Sequence, residues 1–127
     1  MDRKACESYI LSQYGVEADY PFEGDDVSAV FRHGDNRKWF GIAMRISGSK
    51  LGRSSSLVDI LNVKITDPVY LDMLIHSPGI FPAYHMNKKH WVTVLLDGSV
   101  PEDTVCGLID MSYQATMSKK PRRSCSD

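Results

Sequence analysis

The sequence lacks the features that usually mark a metal centre, a disulfide-bonded scaffold or a membrane protein. Its three cysteines, Cys6, Cys106 and Cys125, stand far apart and form no Cys-x-x-Cys pair, whereas a structural zinc site needs about four clustered ligands. No apolar run approaches the roughly 18 residues of a membrane span. The N-terminus carries acidic residues and lacks the apolar core of a secretory signal. We therefore expect a soluble, cytoplasmic protein with no metal, no disulfide and no membrane contact.

The signatures of common catalytic centres are also missing. No glycine-rich phosphate loop precedes a helix, and there is no nucleophile elbow. Asp25 and Asp26 suit a solvated turn better than an acid–base pair, and Ser54–Ser56 has no neighbouring base. His85 and His90 flank one turn without a third metal ligand at a convincing spacing. The expectation is a non-enzymatic protein with no catalytic residues and no cofactor.

What the chain does have is enough apolar sequence for one domain. Its 127 residues are 43% hydrophobic and 24% charged, which is ordinary for a globular protein that buries a core without staples. We assign residues 1–118 to a single domain. Residues 119–127, with the sequence KKPRRSCSD, form a basic polar tail.

The pattern of apolar and turn-forming residues predicts an α+β fold. Helices begin at the capping residue Asp2, at Asp67-Pro68, and at a capping box formed by Ser99 and Glu102. Between them, five stretches read as strands: 29–33, from 38 to about 46, 57–66, 80–86 and 90–96. In the second strand, the alternation places Phe40, Ile42, Met44 and Ile46 on one face. The predicted order is α-β-β-β-α-β-β-α, a five-stranded antiparallel sheet with flanking helices on one side.

Charge is distributed unevenly along a chain whose formal net charge is −1. Residues 1–26 contain seven acidic residues against two basic ones, and residues 32–64 contain seven basic residues against two acidic ones. Such asymmetry can create a basic face on a nearly neutral protein. We predict one positive patch from residues 37–53 and 88–89, with the acidic segment 17–26 elsewhere. The alternative is that these charges only solvate an exposed sheet face and its loops.

The stretch HMNKKHWVTVLLDGSVPEDTVCGLIDMSYQ, residues 85–114, closely resembles the signature of the MmcQ/YjbR family. An H-x-N-K-x-H-W segment enters a strand there, followed by a D-G turn and a final helix with an S-Y pair. The earlier YGVEADYPFEGDDV is similar to that family's first turn, with Glu23 inserted between Phe22 and Gly24. The resemblance implies a fold similar to secretion chaperones, described as double-wing, and members are usually labelled DNA-binding.

Two binding functions remain open at this point. The first is weak, largely non-specific DNA binding, in which three basic loops contact phosphates as wings. The candidate residues are Arg37, Lys38, Lys50, Arg53, Asn87, Lys88, Lys89 and His90. The second is protein or peptide binding through a sheet edge or an apolar groove. Trp91 is expected in the core, and Asn87 in a turn with positive φ.

Overall fold

A computed structural model of the chain describes residues 1–25 and 27–118. In that part of the chain, three α-helices and five β-strands follow one another in the predicted order. The helices are α1 (Arg3–Tyr14), α2 (Pro68–Ile75) and α3 (Glu102–Thr116). The strands are β1 (Ala29–Arg32), β2 (Trp39–Ser47), β3 (Leu57–Lys64), β4 (Ile80–Pro82) and β5 (Trp91–Leu95), with a short 3₁₀ helix at Gly48–Leu51. The basic tail and its Cys125 lie outside the described residues.

Two of the three helix starts follow from their local sequence. The Asp2 carboxylate accepts a hydrogen bond from the Ala5 amide at 2.8 Å, and Asp67 accepts one from Val69 ahead of α2 at 2.9 Å. These bonds satisfy amides that have no partner within the helix. The capping box predicted at α3 is wrong. The Ser99 hydroxyl bonds Asp97 instead, and α3 starts after Pro101 without a side-chain cap.

The five strands form one antiparallel sheet in the order β1-β2-β3-β5-β4. All three helices pack on one face of this sheet, the helical face. The buried side chains there include Ile10 of α1, Leu74 of α2 and Leu108 of α3 with Leu61 and Val94 of the strands. A smaller buried cluster of Ile46, Ile60 and Leu95 lies on the opposite face, which we call the open face. The predicted helix placement is confirmed.

The predicted alternation of β2 breaks at a β-bulge. Phe31 of β1 pairs with Gly41, but the next residue, Arg32, pairs with Trp39, so Phe40 is the extra residue. Phe40 is fully buried in the core of the helical face, whereas Ile42 lies on the open face. The prediction that Phe40 shares a face with Ile42 is therefore wrong, because a bulge shifts the two-residue period by one position.

Ser112 of α3 holds this bulge to the neighbouring strand. Its hydroxyl donates to the carbonyl of Phe40 at 2.6 Å and accepts from the amide of Lys64 at 2.8 Å. Both partners are backbone groups at the end of the β2–β3 ladder, and Ser112 is fully buried. One side chain thus satisfies two buried polar groups that have no strand partner at this position.

Strands β4 and β5 are shorter than predicted, and the segment between them is a long loop rather than a three-residue turn. The amide of Tyr84 bonds the side chain of Thr93 at 2.8 Å instead of a backbone carbonyl. The buried Asn62 donates to the Tyr84 carbonyl at 3.0 Å and accepts from the Thr93 hydroxyl. His85 then takes a left-handed conformation with φ 59°. These side-chain bonds draw the chain out of the ladder after Pro82 and across the open face.

The described part of the chain contains two cysteines. Cys6 and Cys106 are both free thiols; Cys6 is buried and Cys106 is partly buried. Burial raises the pKa of Cys6 to about 12, which keeps it protonated and unreactive at neutral pH.

Within residues 1–25 and 27–118, no helix is long and apolar enough to cross a membrane.

Candidate nucleic-acid interface

The antiparallel topology divides the loops between two ends of the sheet. At one end, β2 begins, β3 finishes at Lys64 and β5 begins, since Lys64 pairs with Trp91. At the other end, β2 finishes at Ser47, which pairs with Leu57 at the start of β3. We call these the Lys64 end and the Ser47 end.

Most of the residues predicted to bind nucleic acid lie at the Lys64 end. Arg37 and Lys38 lie in the turn before β2, and Lys88 and Lys89 lie in the turn before β5. All four side chains are exposed. Only β3 separates β2 from β5, so the two turns start about 10 Å apart. Lys64 lies between them at the end of that strand. In the described part of the chain, the ion pairs are Arg3–Glu7, Arg32–Asp19 and Arg45–Asp59, so none of these five cations is paired there.

Lys50 and Arg53 lie at the Ser47 end. Strand β2 separates them from Arg37 and Lys38 by roughly 25 Å at about 3.3 Å per residue. Arg53 lies close enough to Asp97 to contribute to the lowered pKa of that carboxyl, which is due first to the hydrogen bond from Ser99. The three basic loops therefore do not form the single patch predicted from sequence. Two consecutive connections of an antiparallel meander leave its sheet at opposite ends.

The turn that carries Lys88 and Lys89 is built on Asn87. The Asn87 side chain accepts from the Lys89 amide at 2.8 Å, and its carbonyl accepts from the amides of His90 and Trp91 at 3.1 and 3.0 Å. Asn87 therefore acts as a side-chain cap, not as the positive-φ residue that the sequence suggested. All residues from Asn87 to His90 are exposed, and Trp91, expected in the core, is only partly buried.

The turn that carries Arg37 and Lys38 is fixed to the end of α3. His33 is buried, and its Nε2 lies 2.7 Å from the Thr116 hydroxyl. Asn36 donates to the Thr116 carbonyl at 3.0 Å and accepts from the Lys38 amide at 2.9 Å. Burial lowers the pKa of His33. Arg37 adopts a left-handed φ of 64°, so its side chain projects from a rigid turn with a conformation that is uncommon outside glycine.

An apolar groove lies on the open face beside these two turns. It has a volume of about 320 Å³. Its lining, which is mostly apolar, comprises Phe22, Asp25, Ser28, Trp39, Ile42, Met44, His85 and Met86. The rings of Phe22 and Trp39 meet edge to face with centroids 6.1 Å apart. One wall thus comes from the segment before β1 and the other from the loop that carries Lys88 and Lys89.

The acidic segment, expected away from the basic residues, borders the same groove. Asp19 pairs with Val30 along the edge of β1 and forms an ion pair with Arg32. Asp25 accepts from the amides of Val27 and Ser28, both at 2.9 Å, and these bonds lower its pKa. Asp26 lies outside the described residues. The positive surface is therefore limited to one side of the groove.

Sequence reasoning missed Trp39 and Phe22 as site residues. Trp39 directly follows Arg37 and Lys38, and an aromatic side chain interleaved with cations is a known pattern in nucleic-acid binders. That signal was present, but strand alternation alone could not show that the bulge directs Trp39 to the open face. The contribution of Phe22 depends on a long-range contact that no local pattern reveals.

Comparisons with known proteins agree with this architecture. The YjbR family model matches residues 11–115. The chain belongs to the YjbR family. YyaQ of Bacillus subtilis is 35% identical over 117 residues, which cover 91% of this chain and 98% of YyaQ. A crystal structure of a Pseudomonas syringae protein superposes with a TM-score of 0.89 at 40% identity, covering 92% of this chain and all of that one. A Deinococcus radiodurans protein superposes with a TM-score of 0.69 at 27% identity, over 93% and 80% of the two chains.

Proposed function

We propose that this YjbR-family domain is a non-enzymatic nucleic-acid-binding protein that contacts phosphates through the Lys64 end of its sheet. The supporting observation is the set of five cations, from two turns and one strand end, that have no ion-pair partner among the described residues. Cations without acidic partners are free to neutralise phosphates, which drives sequence-independent binding through counterion release. Lys50 and Arg53 are excluded from this site by their position.

The rigidity of the two turns favours this function over simple solvation of the surface. Asn87 caps one turn and the His33–Thr116 and Asn36–Thr116 bonds fix the other. A turn whose backbone is already held by hydrogen bonds loses little backbone entropy when its side chains bind.

The test exploits the two ends of the sheet as an internal control. The double variants Lys88→Ala/Lys89→Ala and Lys50→Ala/Arg53→Ala remove the same charge from opposite ends. We expect the first to weaken binding to labelled DNA and to flatten the slope of log affinity against log salt by up to about 1.8 on a duplex, or about 1.4 on a single strand. The second should leave both values near those of the unmodified protein.

Two outcomes would contradict the proposal. If the unmodified protein shows no salt-dependent binding even near about 50 mM salt, nucleic acid is not the ligand. If both double variants weaken binding equally, the effect comes from net charge and not from the Lys64 end. Exposed turn lysines rarely change stability by more than about 0.5 kcal/mol, so misfolding should not confuse the comparison.

Peptide binding is the second candidate function, and the apolar groove is the observation that favours it. Such binding buries apolar surface and depends little on salt. A ligand whose affinity is unchanged across the same salt series would therefore point to this alternative.

A further inference from the structure

The apolar groove and the free cations belong to the same two chain segments. Trp39 lines the groove directly after Arg37 and Lys38, and His85 and Met86 line it directly before Asn87, Lys88 and Lys89. A ligand whose charged backbone reached both turns would pass the mouth of the groove.

We propose that the groove receives an unpaired nucleobase, so that the ligand of the Lys64 end is single-stranded nucleic acid rather than a closed duplex. This inference rests on the proposed function and specifies its ligand. Proteins that hold single strands combine a cationic track for phosphates with aromatic side chains for bases. The bases of a duplex are stacked inside it and present only their edges in the grooves.

The size of the groove favours a base over the side chains of a partner helix. Its volume of about 320 Å³ is at the lower end of the roughly 300–1,000 Å³ typical of small-ligand pockets. A partner helix instead lays several anchors along an extended furrow. Addition of a peptide strand at β1 is also hindered, because Asp19 already pairs with Val30 at that edge.

The polar groups of the groove match the edge of a base. Asp25 accepts two backbone hydrogen bonds through Oδ1, and its carboxylate can accept from the exocyclic amino group of a base. The same carboxylate would repel a second phosphate strand. Phe22, Trp39 and His85 supply the aromatic rings on which unpaired bases stack.

The experiment compares three probes of equal charge per strand. A labelled DNA strand of about 12 nucleotides, the same strand with abasic sites in place of bases, and its duplex are titrated at one salt concentration. We expect the intact strand to bind more tightly than the other two, by roughly 5- to 150-fold if one stacked base contributes as in other single-strand binders.

Substitutions in the groove test whether the base binds there. Trp39→Ala should reduce binding of the intact strand by a similar factor while leaving binding of the abasic strand unchanged. Phe22→Ala tests the same groove with an exposed loop residue, in case the first variant unfolds. Met73→Ala is the control, because Met73 is an exposed apolar residue on α2 (62% exposed) outside the groove. Thermal unfolding of each variant establishes that it is folded.

Each remaining result identifies which idea fails. Equal binding of the intact and abasic strands, or tighter binding of the duplex, refutes the groove as a base site while the basic end stands. Unchanged binding by both folded groove variants does the same. No salt-dependent binding of any probe refutes the proposed function itself. Salt-indifferent binding of an apolar peptide that Phe22→Ala abolishes assigns the groove to a protein partner instead.

Discussion

Ser112→Ala is the substitution that tests how the bulge in β2 is held. Ser112 is fully buried in α3, and its hydroxyl bonds the Phe40 carbonyl and the Lys64 amide. Alanine removes both bonds and leaves two buried backbone groups without partners. An unsatisfied buried polar group costs about 1–3 kcal/mol. Since some relaxation is expected, we predict a loss of about 2–4 kcal/mol in the free energy of unfolding.

Ser8→Ala is the matched control for this change. Ser8 lies inside α1 and is exposed, so both substitutions replace serine by alanine within a helix and gain similar helix propensity. Ser8→Ala should therefore change stability by no more than about 0.5 kcal/mol. The difference between the two variants isolates the two hydrogen bonds of Ser112.

Urea unfolding, followed by circular dichroism and tryptophan fluorescence, measures this difference. The midpoint for Ser112→Ala should fall while the slope with urea stays constant, since the same surface is exposed on unfolding. If the two variants agree within about 0.5 kcal/mol, the Ser112 hydroxyl does not hold the bulge, and our account of β2 is wrong.

Three further predictions concern other parts of the fold. Asn62→Ala should lower the free energy of unfolding by about 2–4 kcal/mol, because it leaves the Tyr84 carbonyl and the Thr93 hydroxyl without their Asn62 partner. If denaturant unfolding shows no loss of stability, Asn62 does not anchor the loop at residues 83–90. His33 has a lowered pKa, so the unfolded chain takes up the proton first and stability should fall as pH drops below about 6.5; a His33→Gln variant whose pH–stability profile matches the unmodified protein would refute this. Gly79→Ala should be more destabilising than Gly98→Ala in thermal unfolding. Both glycines have positive φ, but only a Cβ at Gly79 would meet Val100 Cγ2, at 2.7 Å. Equal losses of stability would mean that this clash costs nothing.

Local chemistry was enough to predict the elements whose ends are set by neighbouring residues. Asp2 and Asp67 cap their helices through side-chain bonds that span two or three residues. The element order followed from these ends. The capping box at Ser99 failed because Asp97, two residues earlier, bonds the same hydroxyl.

Features that depend on distant residues could not be predicted in the same way. The long loop between β4 and β5 exists because Asn62, 22 positions away from Tyr84, takes a place in its hydrogen bonding. A β-prone stretch from residue 80 to 86 gave no sign of that contact. The groove likewise needs Phe22, in the segment before β1, to contact Trp39 of β2.

The positions of the basic loops are a different case, because the predicted topology was enough to place them at opposite ends of the sheet. If β1, β2 and β3 form an antiparallel meander, the turn at residues 33–38 and the connection at residues 48–56 must lie at opposite ends of the sheet. A single patch with Lys38 and Arg53 was therefore inconsistent with the predicted fold. A cluster of basic residues along the chain predicts a single basic surface only if the direction of the strands between them is taken into account.

The bulge at Phe40 links the core to the candidate site. In an unbroken ladder, Phe40 would pair with Arg32 and face the groove, and Trp39 would point toward the helices. The bulge reverses both positions: Phe40 enters the core of the helical face, and Trp39 pairs with Arg32 and lines the groove. One inserted residue thus supplies an aromatic ring to each face of the sheet. Because Ser112 bonds the carbonyl of Phe40, the position of Trp39 beside Arg37 and Lys38 depends on a hydroxyl on α3, which lies on the helical face.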